Sequence, residues 1–474
     1  MTSLQGIKEY DVVVIGGGSG GYAAARSAVA FGARTAVIEG GTQVGGLCIL
    51  RGCMPTKALL ESAHRLQAIR RAGEFGLSAS KPSANWKKII ARKNRLIEDF
   101  AGHRRGQLEK GNFDFIRGMA SFVDANTLEI RLKGGGKKIV RGKTFVLATG
   151  SEVAVRDIPG LRETGFITSD EAIHLDKPLK SIAVLGGGAV ALEFAQYFHH
   201  LGVKTTLIQR SRQVLRSQDA DLAGVLTDVF AKEGMKVHLD TELVKIEKSG
   251  KGKKVVFRKG GKLMSVEVQE ILYALGRRPA IAALGLEKAG VKIEQGAVKI
   301  SRTMQSSRSH IFAAGDVCGP YEVVHTAIAQ GETAARNAVR LLKGEGEKRL
   351  EKMDYRLKME VVFTEPELAA IGMSEKEAAQ AGRVVRVAKY PFNDHGKSMI
   401  MGAEDGFVKI IADAKKGEIL GAQIVGPHAS DLIHEFAVAM HYRATVGEFL
   451  KIPHYHPTLA EIVTYPAEEI AQEM

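Results

Sequence analysis

The sequence predicts an α/β protein that uses one strand–glycine turn–helix–strand plan twice and ends in an α+β segment. Three observations carry this. An apolar strand at 11–15 runs into Gly16-Gly17-Gly18-Ser19-Gly20-Gly21, followed by a helix at 22–31 and a strand at 35–38 that ends at Glu39. A second copy starts near residue 180, with a strand at 181–185, Gly186-Gly187-Gly188-Ala189-Val190-Ala191, a helix at 192–200 and a strand at 204–208. Past residue 352 the pattern becomes strand-like segments at 361–363, 367–371, 383–390, 406–413 and 419–425, then amphipathic helices at 429–442 and 445–451. A GxGxxG turn set between a strand and a helix marks a Rossmann-like dinucleotide-binding domain, here present twice.

In the first copy Gly16 permits the tight turn, Gly18 lets a pyrophosphate approach the backbone, and Gly21 lets helix and strand pack closely. Glu39, about 20 residues on, stands where an acid accepts hydrogen bonds from a ribose. In the second copy Gly186 and Gly188 take the first two roles, and Ala191 replaces the third glycine, a variant the fingerprint permits. Its second strand ends in Gln209-Arg210 instead of an acid. An acid there binds a free 2′-hydroxyl and repels a 2′-phosphate. Gln209 removes that repulsion, and Arg210 and Arg216 offer charge to the phosphate, so NADPH is the expected nicotinamide with NADH as the alternative. The plainer reading of both arginines is a solvated surface after a strand.

A length of 474 residues allows two to four domains, and 45% hydrophobic with 25% charged residues is ordinary for a soluble globular chain. No apolar run approaches the roughly 20 residues a membrane helix needs. Three cysteines in so long a chain argue against an oxidised secreted protein and for the cytoplasm. The net charge of +14 comes from scattered Lys and Arg, and the densest runs, 251–254 and 343–352, are turn or linker sequence. No single basic stripe is visible, so neither nucleic acid nor membrane is an expected partner.

The chemistry centres on GGLCILRGCMPTK, residues 45–57. Four residues separate Cys48 from Cys53, too many for a CxxC motif, and no second cysteine pair completes a zinc site, so no metal is expected. Pro55 suits a first helical turn and residues 58–63 continue it in good helix formers, which puts Cys53 at a helix N-terminus where the dipole favours a thiolate. Alone, such a pair reads as two small buried hydrophobes. Beside two dinucleotide fingerprints, the stretch resembles the redox-active disulfide of the class I pyridine nucleotide-disulfide oxidoreductases, the family of dihydrolipoamide dehydrogenase, glutathione reductase and mercuric reductase.

That resemblance extends along essentially the whole chain. Thr149 and Gly150 match the motif closing the first nucleotide domain, and HIFAAGD at 310–316 matches the second FAD motif, with Asp316 toward the ribityl chain. The resemblance implies an FAD-binding domain at 1–152, an NAD(P)H-binding domain at 153–280, a second part of the FAD-binding and central region at 281–350, and a dimer-interface domain at 351–474. It implies FAD held by Gly16, Gly18, Gly21, Glu39, Thr149, Gly150 and Asp316. It further implies a Cys48–Cys53 disulfide reduced through the flavin, with Cys53 as the flavin-side thiolate and Cys48 as the interchange thiol. His456, in HPTLAE, matches the acid-base and Glu461 the carboxylate orienting it, both reaching the cysteines across a homodimer. His454 is the nearby competitor. Lys57 and Glu193 match an ion pair beside the flavin.

This chain also departs from the family. The usual GTCxNxGC reads GLCILRGC, the tyrosines that contact glutathione are matched by Leu96 and Arg104, and the C-terminal tail has no cysteine pair. The resulting expectation is a disulfide reductase of the dihydrolipoamide dehydrogenase and mercuric reductase-like branch, acting on a small or protein-borne disulfide. Metal-ion or quinone reduction at the same centre, a glutathione reductase-like activity and a non-enzymatic scaffold are the competing readings. Residues 343–352 are the linker candidate, and Cys318 reads as structural.

Overall fold

The computed structural model describes residues 7–474. The chain forms two compact units. One gathers the segment ending at Pro55 with Lys93–Ala154 and Arg277–Asp354, and the other gathers Thr56–Arg92, Val155–Gly276 and Tyr355–Met474.

In the first unit the strand Lys8–Ile15 lies between Thr35–Glu39 and Lys137–Leu147, parallel to both. Ile311–Ala313 extends the sheet beside Lys137–Leu147, and Asp114–Phe122 extends it beside Thr35–Glu39. Asp114–Phe122, Thr127–Leu132 and Lys137–Leu147 also form an antiparallel meander. Asp114–Phe122 keeps its alternation of inward and outward side chains through Arg117–Ala120, so one long strand runs through. Helices Ser19–Ala30 and Val324–Leu342 pack tightly because both contact points are glycines: a Cβ on Gly331 would lie 2.2 Å from the Gly20 carbonyl oxygen. The expected linker at 343–352 is anchored. Arg336 grips Glu351 with two hydrogen bonds of 2.7 Å, Asn337 bonds both backbone groups of Glu351, and Leu350 is buried.

In the second unit, Glu270–Tyr273, Ser181–Leu185, Lys204–Ile208 and Lys236–His238 form a parallel sheet in that order. Three antiparallel strands follow in the chain: Thr241–Ser249, Gly252–Lys259 and Lys262–Val268. The glycine-lysine turns join strands at both ends, which makes two hairpins. The helix Ala220–Lys232 was not foreseen. It follows a Gln- and Ser-rich loop, and its apolar face fills the core with Leu222, Leu226 and Phe230. The aromatic cluster of Trp86, Phe194, Tyr197 and Phe198 packs on Leu59, Leu60, Ala63 and Leu66 of the helix Cys53–Arg70.

The C-terminal region is a five-stranded antiparallel sheet, ordered Met359–Val362, Glu367–Gly372, Ile419–Gly426, Phe407–Asp413 and Val385–Pro391, with the helix Ala429–His441 packed on it. The helix expected at 445–451 is a single turn, Val446–Phe449, opened by a Thr445–Glu448 capping box. Thr464–Gln472 is a further helix that the sequence pattern did not disclose. No helix of the described residues is long and apolar enough to cross a membrane.

Two glycine substitutions separate packing from propensity. Gly331→Ala drives a methyl group into backbone and is expected to cost on the order of 1–3 kcal/mol or more. Gly224→Ala, inside Ala220–Lys232 with nothing within 4 Å, is expected to gain about 0.5–1 kcal/mol. Thermal melting of the two variants should move in opposite directions, and equal shifts would refute the tight helix contact.

Candidate active site

The two glycine turns are built alike. Gly16 (φ 111°) and Gly186 (φ 126°) take conformations that L side chains rarely adopt, and a Cβ on either would lie within 2.4 Å of a backbone oxygen, that of Ala148 or Ala274. A Cβ on Gly21 would fall 1.9 Å from the Gly16 oxygen, so only glycine fits there, whereas Ala191 is accommodated in the second turn with its side chain fully buried. The helices Ser19–Ala30 and Ala189–His200 begin at Gly18 and Gly188 with no capping side chain and no acid in the first turn. Helix N-termini left this way suit an anion such as a pyrophosphate.

Glu39 closes the first turn. Its carboxylate accepts the backbone N–H of Gly17 at 2.7 Å and of Gly41 at 2.6 Å. Gln209 occupies the matching place in the second turn: a Cβ on Gly187 would lie 2.7 Å from its amide carbon. Arg210 and Arg216 are exposed on the following loop, and between them Arg212, which sequence reasoning passed over, sits 3.9 Å from Asp240. Thr149 bonds the Ala280 carbonyl at 2.9 Å, and Gly150 has φ 70°. Asp316 is held by Ser151 Oγ at 2.6 Å, and Arg277 in turn donates to that hydroxyl at 2.8 Å. Burial pushes the Cys318 thiol up to about 12, and it donates to the Gly315 carbonyl, so it stays protonated.

Cys48 lies on the short helix Gly46–Leu50, and Cys53 is the first residue of Cys53–Arg70, where the dipole favours a thiolate. Both are half-buried. Glycines bring this stretch against its surroundings: a Cβ on Gly46 would lie 2.6 Å from Gly18 Cα, and one on Gly52 would lie 3.2 Å from Cys48 Cα. Arg104 was read only as a departure from a glutathione site. Its guanidinium carbon lies 4.4 Å over the Tyr22 ring, and its Nε and Nη1 are buried without a hydrogen-bond partner. Burial lowers its pKa, while Tyr22 and Cys48 oppose that shift, so an ionised Cys48 and Arg104 stabilise each other.

Within the second unit, Lys57 Nζ lies 2.8 Å from both Glu193 oxygens, and the Phe363 N–H adds a bond of 3.1 Å to the same carboxylate. His456 Nδ1 meets Glu461 Oε2 at 2.9 Å. The imidazole is 79% exposed and the carboxylate 12%, so a fixed acid orients an accessible ring. Burial raises the Glu461 carboxyl, but the His456 contact and the Thr458 N–H outweigh it and hold the pKa below 4.5. His454 is a different case: its Nδ1 meets the Ile452 carbonyl and its Nε2 meets Glu435, so neither nitrogen remains for chemistry. Sequence reasoning missed His395. It is buried, pairs with Ser398 Oγ at 2.8 Å, and brings Nε2 to 3.4 Å from Glu461 Oε1 without hydrogen-bond geometry. Burial lowers its pKa and keeps it neutral. It lies in no motif, and only the fold reveals it.

Residues 10–331 match the family profile described as pyridine nucleotide-disulphide oxidoreductase, and residues 359–467 match that family's dimerisation domain. The chain belongs to the pyridine nucleotide-disulphide oxidoreductase family. A dihydrolipoyl dehydrogenase from Thermus scotoductus is 36% identical over 93% of this chain and 93% of its own length. A mercuric reductase from Staphylococcus aureus is 32% identical over 92% of this chain and 78% of its own. Among solved structures, a Cu(II) complex of the HOCl-induced flavoprotein disulfide reductase RclA from Escherichia coli superposes with a TM-score of 0.84 at 25% identity, over 98% of this chain and 100% of that one. As a family member this chain is an FAD-dependent flavoprotein disulfide oxidoreductase that uses a pyridine nucleotide.

The lowered pKa of Glu461 makes its pairing a source of stability that is present above 4.5 and lost as pH falls through the folded-state value. Glu461→Gln should therefore melt below the wild type at pH 7, and the gap should close on acidification below pH 4.5. A gap constant across that range would mean that the carboxylate charge contributes nothing.

Proposed function

We propose that this chain is an NADPH-preferring reductase of small or protein-borne disulfides, working as a homodimer in the dihydrolipoyl dehydrogenase and mercuric reductase-like branch. The observation that carries the reading is the His456–Glu461 pair, a mostly buried carboxylate presenting an exposed imidazole. A proton-transfer group left in bulk water does little, and a second copy of the chain docked through the dimerisation domain would enclose it. We also infer that the functional domains follow the boundaries 1–152, 153–280, 281–350 and 351–474. The breaks between compact units at 154/155, 276/277 and 354/355 lie close to these bounds, while residues 56–92 group with the second unit. Three cysteines suit the reducing cytoplasm.

The uncapped turn at Gly16, Gly18 and Gly21, with Glu39, Thr149, Gly150 and Asp316, fits FAD, and the turn at Gly186, Gly188 and Ala191 fits the nicotinamide dinucleotide. Bound FAD supplies the two-electron passage from nicotinamide to the Cys48–Cys53 disulfide. The remaining steps belong to the side chains. Cys48, as thiolate beside Arg104, attacks one sulfur of the substrate disulfide. That bond breaks, and the leaving thiolate takes a proton from His456. Cys53, stabilised at its helix N-terminus, then attacks the Cys48 sulfur, closes the Cys48–Cys53 disulfide and expels the second sulfur as a thiolate, which takes its proton from solvent. Glu461 keeps His456 in the tautomer and orientation that this needs, and Lys57 with Glu193 fixes the helix behind Cys53.

Mixed dimers test the shared site. Homodimers of Cys48→Ser and of His456→Ala should each be nearly inactive with lipoamide, and heterodimers of the two should regain about half of wild-type turnover through one intact site per dimer. Absence of recovery after verified subunit exchange would place His456 and the cysteines of one chain in one site.

Gln209, Arg210 and Arg216 give the nicotinamide test. A charge-assisted phosphate contact is worth about 1.5–3 kcal/mol, so two partly solvated ones should favour NADPH by roughly ten- to a thousand-fold in kcat/KM. Replacing both arginines with Gln should remove most of that preference while leaving NADH turnover nearly unchanged. A wild type that does not discriminate between the two nucleotides would show that the arginines serve only the surface.

A further inference from the structure

We propose that His64, His200 and Glu365 bind one divalent transition-metal ion of the zinc type, at a site separate from the dinucleotide turns and the redox cysteines. His64 lies on the helix Cys53–Arg70, His200 ends the helix Ala189–His200, and Glu365 lies in the turn between Met359–Val362 and Glu367–Gly372. One donor atom from each falls within 4.8 Å of the other two. The three positions are distant in sequence and share no motif spacing, so only the fold brings them together.

The hydrogen-bond pattern suits a metal. His200 is fully buried, and its Nε2 lies 3.1 Å from both oxygens of Glu233. A carboxylate there accepts an N–H from Nε2, and the other ring nitrogen, Nδ1, is buried with no hydrogen-bond partner. A carboxylate gripping one imidazole nitrogen while the other ligates is the usual outer-shell support of a histidine metal ligand. His64 Nε2 and Glu365 Oε2 are likewise buried without partners.

Gln196 clamps Glu365 in place. Its amide donates to the Glu365 carbonyl and accepts the Glu365 N–H, both at 2.7 Å. Two imidazoles and one carboxylate, with a fourth position for water, are a zinc donor set, whereas Mg²⁺ and Ca²⁺ favour all-oxygen sites. Ligand distances of about 2.0–2.2 Å require the donor atoms to close in by under roughly 1 Å, within reach of side-chain rotation. On both helices the ligands lie about two turns beyond Lys57 and Glu193, and Glu365 follows Phe363 closely. An ion here ties together the same three segments as that ion pair.

The test uses untagged, FAD-loaded dimer carrying Cys48→Ser and Cys53→Ser, so that the dithiol does not chelate. After chelator treatment it is titrated with ZnCl₂ by calorimetry, and bound zinc is counted by mass spectrometry after gel filtration. One Zn²⁺ per chain is expected, unaffected by millimolar Mg²⁺. His200→Ala and the near-isosteric Glu365→Gln should each weaken binding at least about 100-fold, and Glu233→Gln, a positioning change, about 10- to 100-fold. Retained flavin absorbance in each variant confirms the fold, and added zinc should raise the melting temperature of the parent but not of Glu365→Gln. Failure of the parent to bind zinc, displacement by Mg²⁺, or equal affinity in the parent and Glu365→Gln would overturn the site and leave the triad to a buried water.

Discussion

The Lys57–Glu193 ion pair is the constraint on which the rest of the structure depends. Glu193 keeps only 4% of its side-chain surface in solvent, and Lys57 31%. Burying a carboxylate this deeply is costly unless its oxygens are satisfied, and here two contacts from Lys57 and one from the Phe363 N–H do so. The ammonium also lies 4.5 Å from the Phe363 ring centroid. Lys57 is one turn past Cys53, and Glu193 is one turn past the second glycine fingerprint. A single polar contact therefore fixes the helix that starts at Cys53 against the helix that starts at the second glycine turn. Removing one partner leaves the other charge stranded among Leu192, Phe194 and their neighbours, a far larger penalty than that of a surface pair.

The two nucleotide turns share geometry down to the backbone oxygen that excludes a Cβ from Gly16 and from Gly186, yet their chemistry differs at one side chain. Glu39 turns its carboxylate onto the Gly17 and Gly41 N–H groups, a fixed negative charge at the mouth of the turn. Gln209 fills the same space with a neutral amide that also accepts the Arg210 N–H at 3.0 Å. Shape is conserved between the copies while charge is not. The contrast therefore isolates electrostatics as the property in which the two turns differ.

Much of this was legible in the sequence because it is local. Ser181–Leu185 and Lys204–Ile208 have the bounds their apolar runs suggest, and Cys53 begins its helix. The HPTLAE stretch singled out His456 and Glu461, and these two side chains meet at 2.9 Å. What escaped is non-local. Arg104, read only as a departure from a glutathione site, lies over the Tyr22 ring, and His395 comes to 3.4 Å from Glu461 out of a loop without regular pattern. The 343–352 segment carries charge and glycine like a linker, yet Glu351 finds Arg336 and Asn337 on the preceding helix, which composition cannot reveal.

Helix ends show how the chain divides stability from function. Thr168, Ser374 and Thr445 open their helices with complete capping boxes, each satisfying two backbone donors that would otherwise lack a partner. Such a cap is worth about 1 kcal/mol. The helices opening at Gly18 and Gly188 forgo it. Neither has a capping side chain or a first-turn acid, although they pack at the centre of their units. A serine or aspartate at either position would satisfy the free N–H groups from within and occupy the place of an anion. Glycine leaves those donors open and lets the backbone approach what binds there. The chain is thus locally less stable at both turns, and the missing stabilisation is of the kind that a bound pyrophosphate supplies.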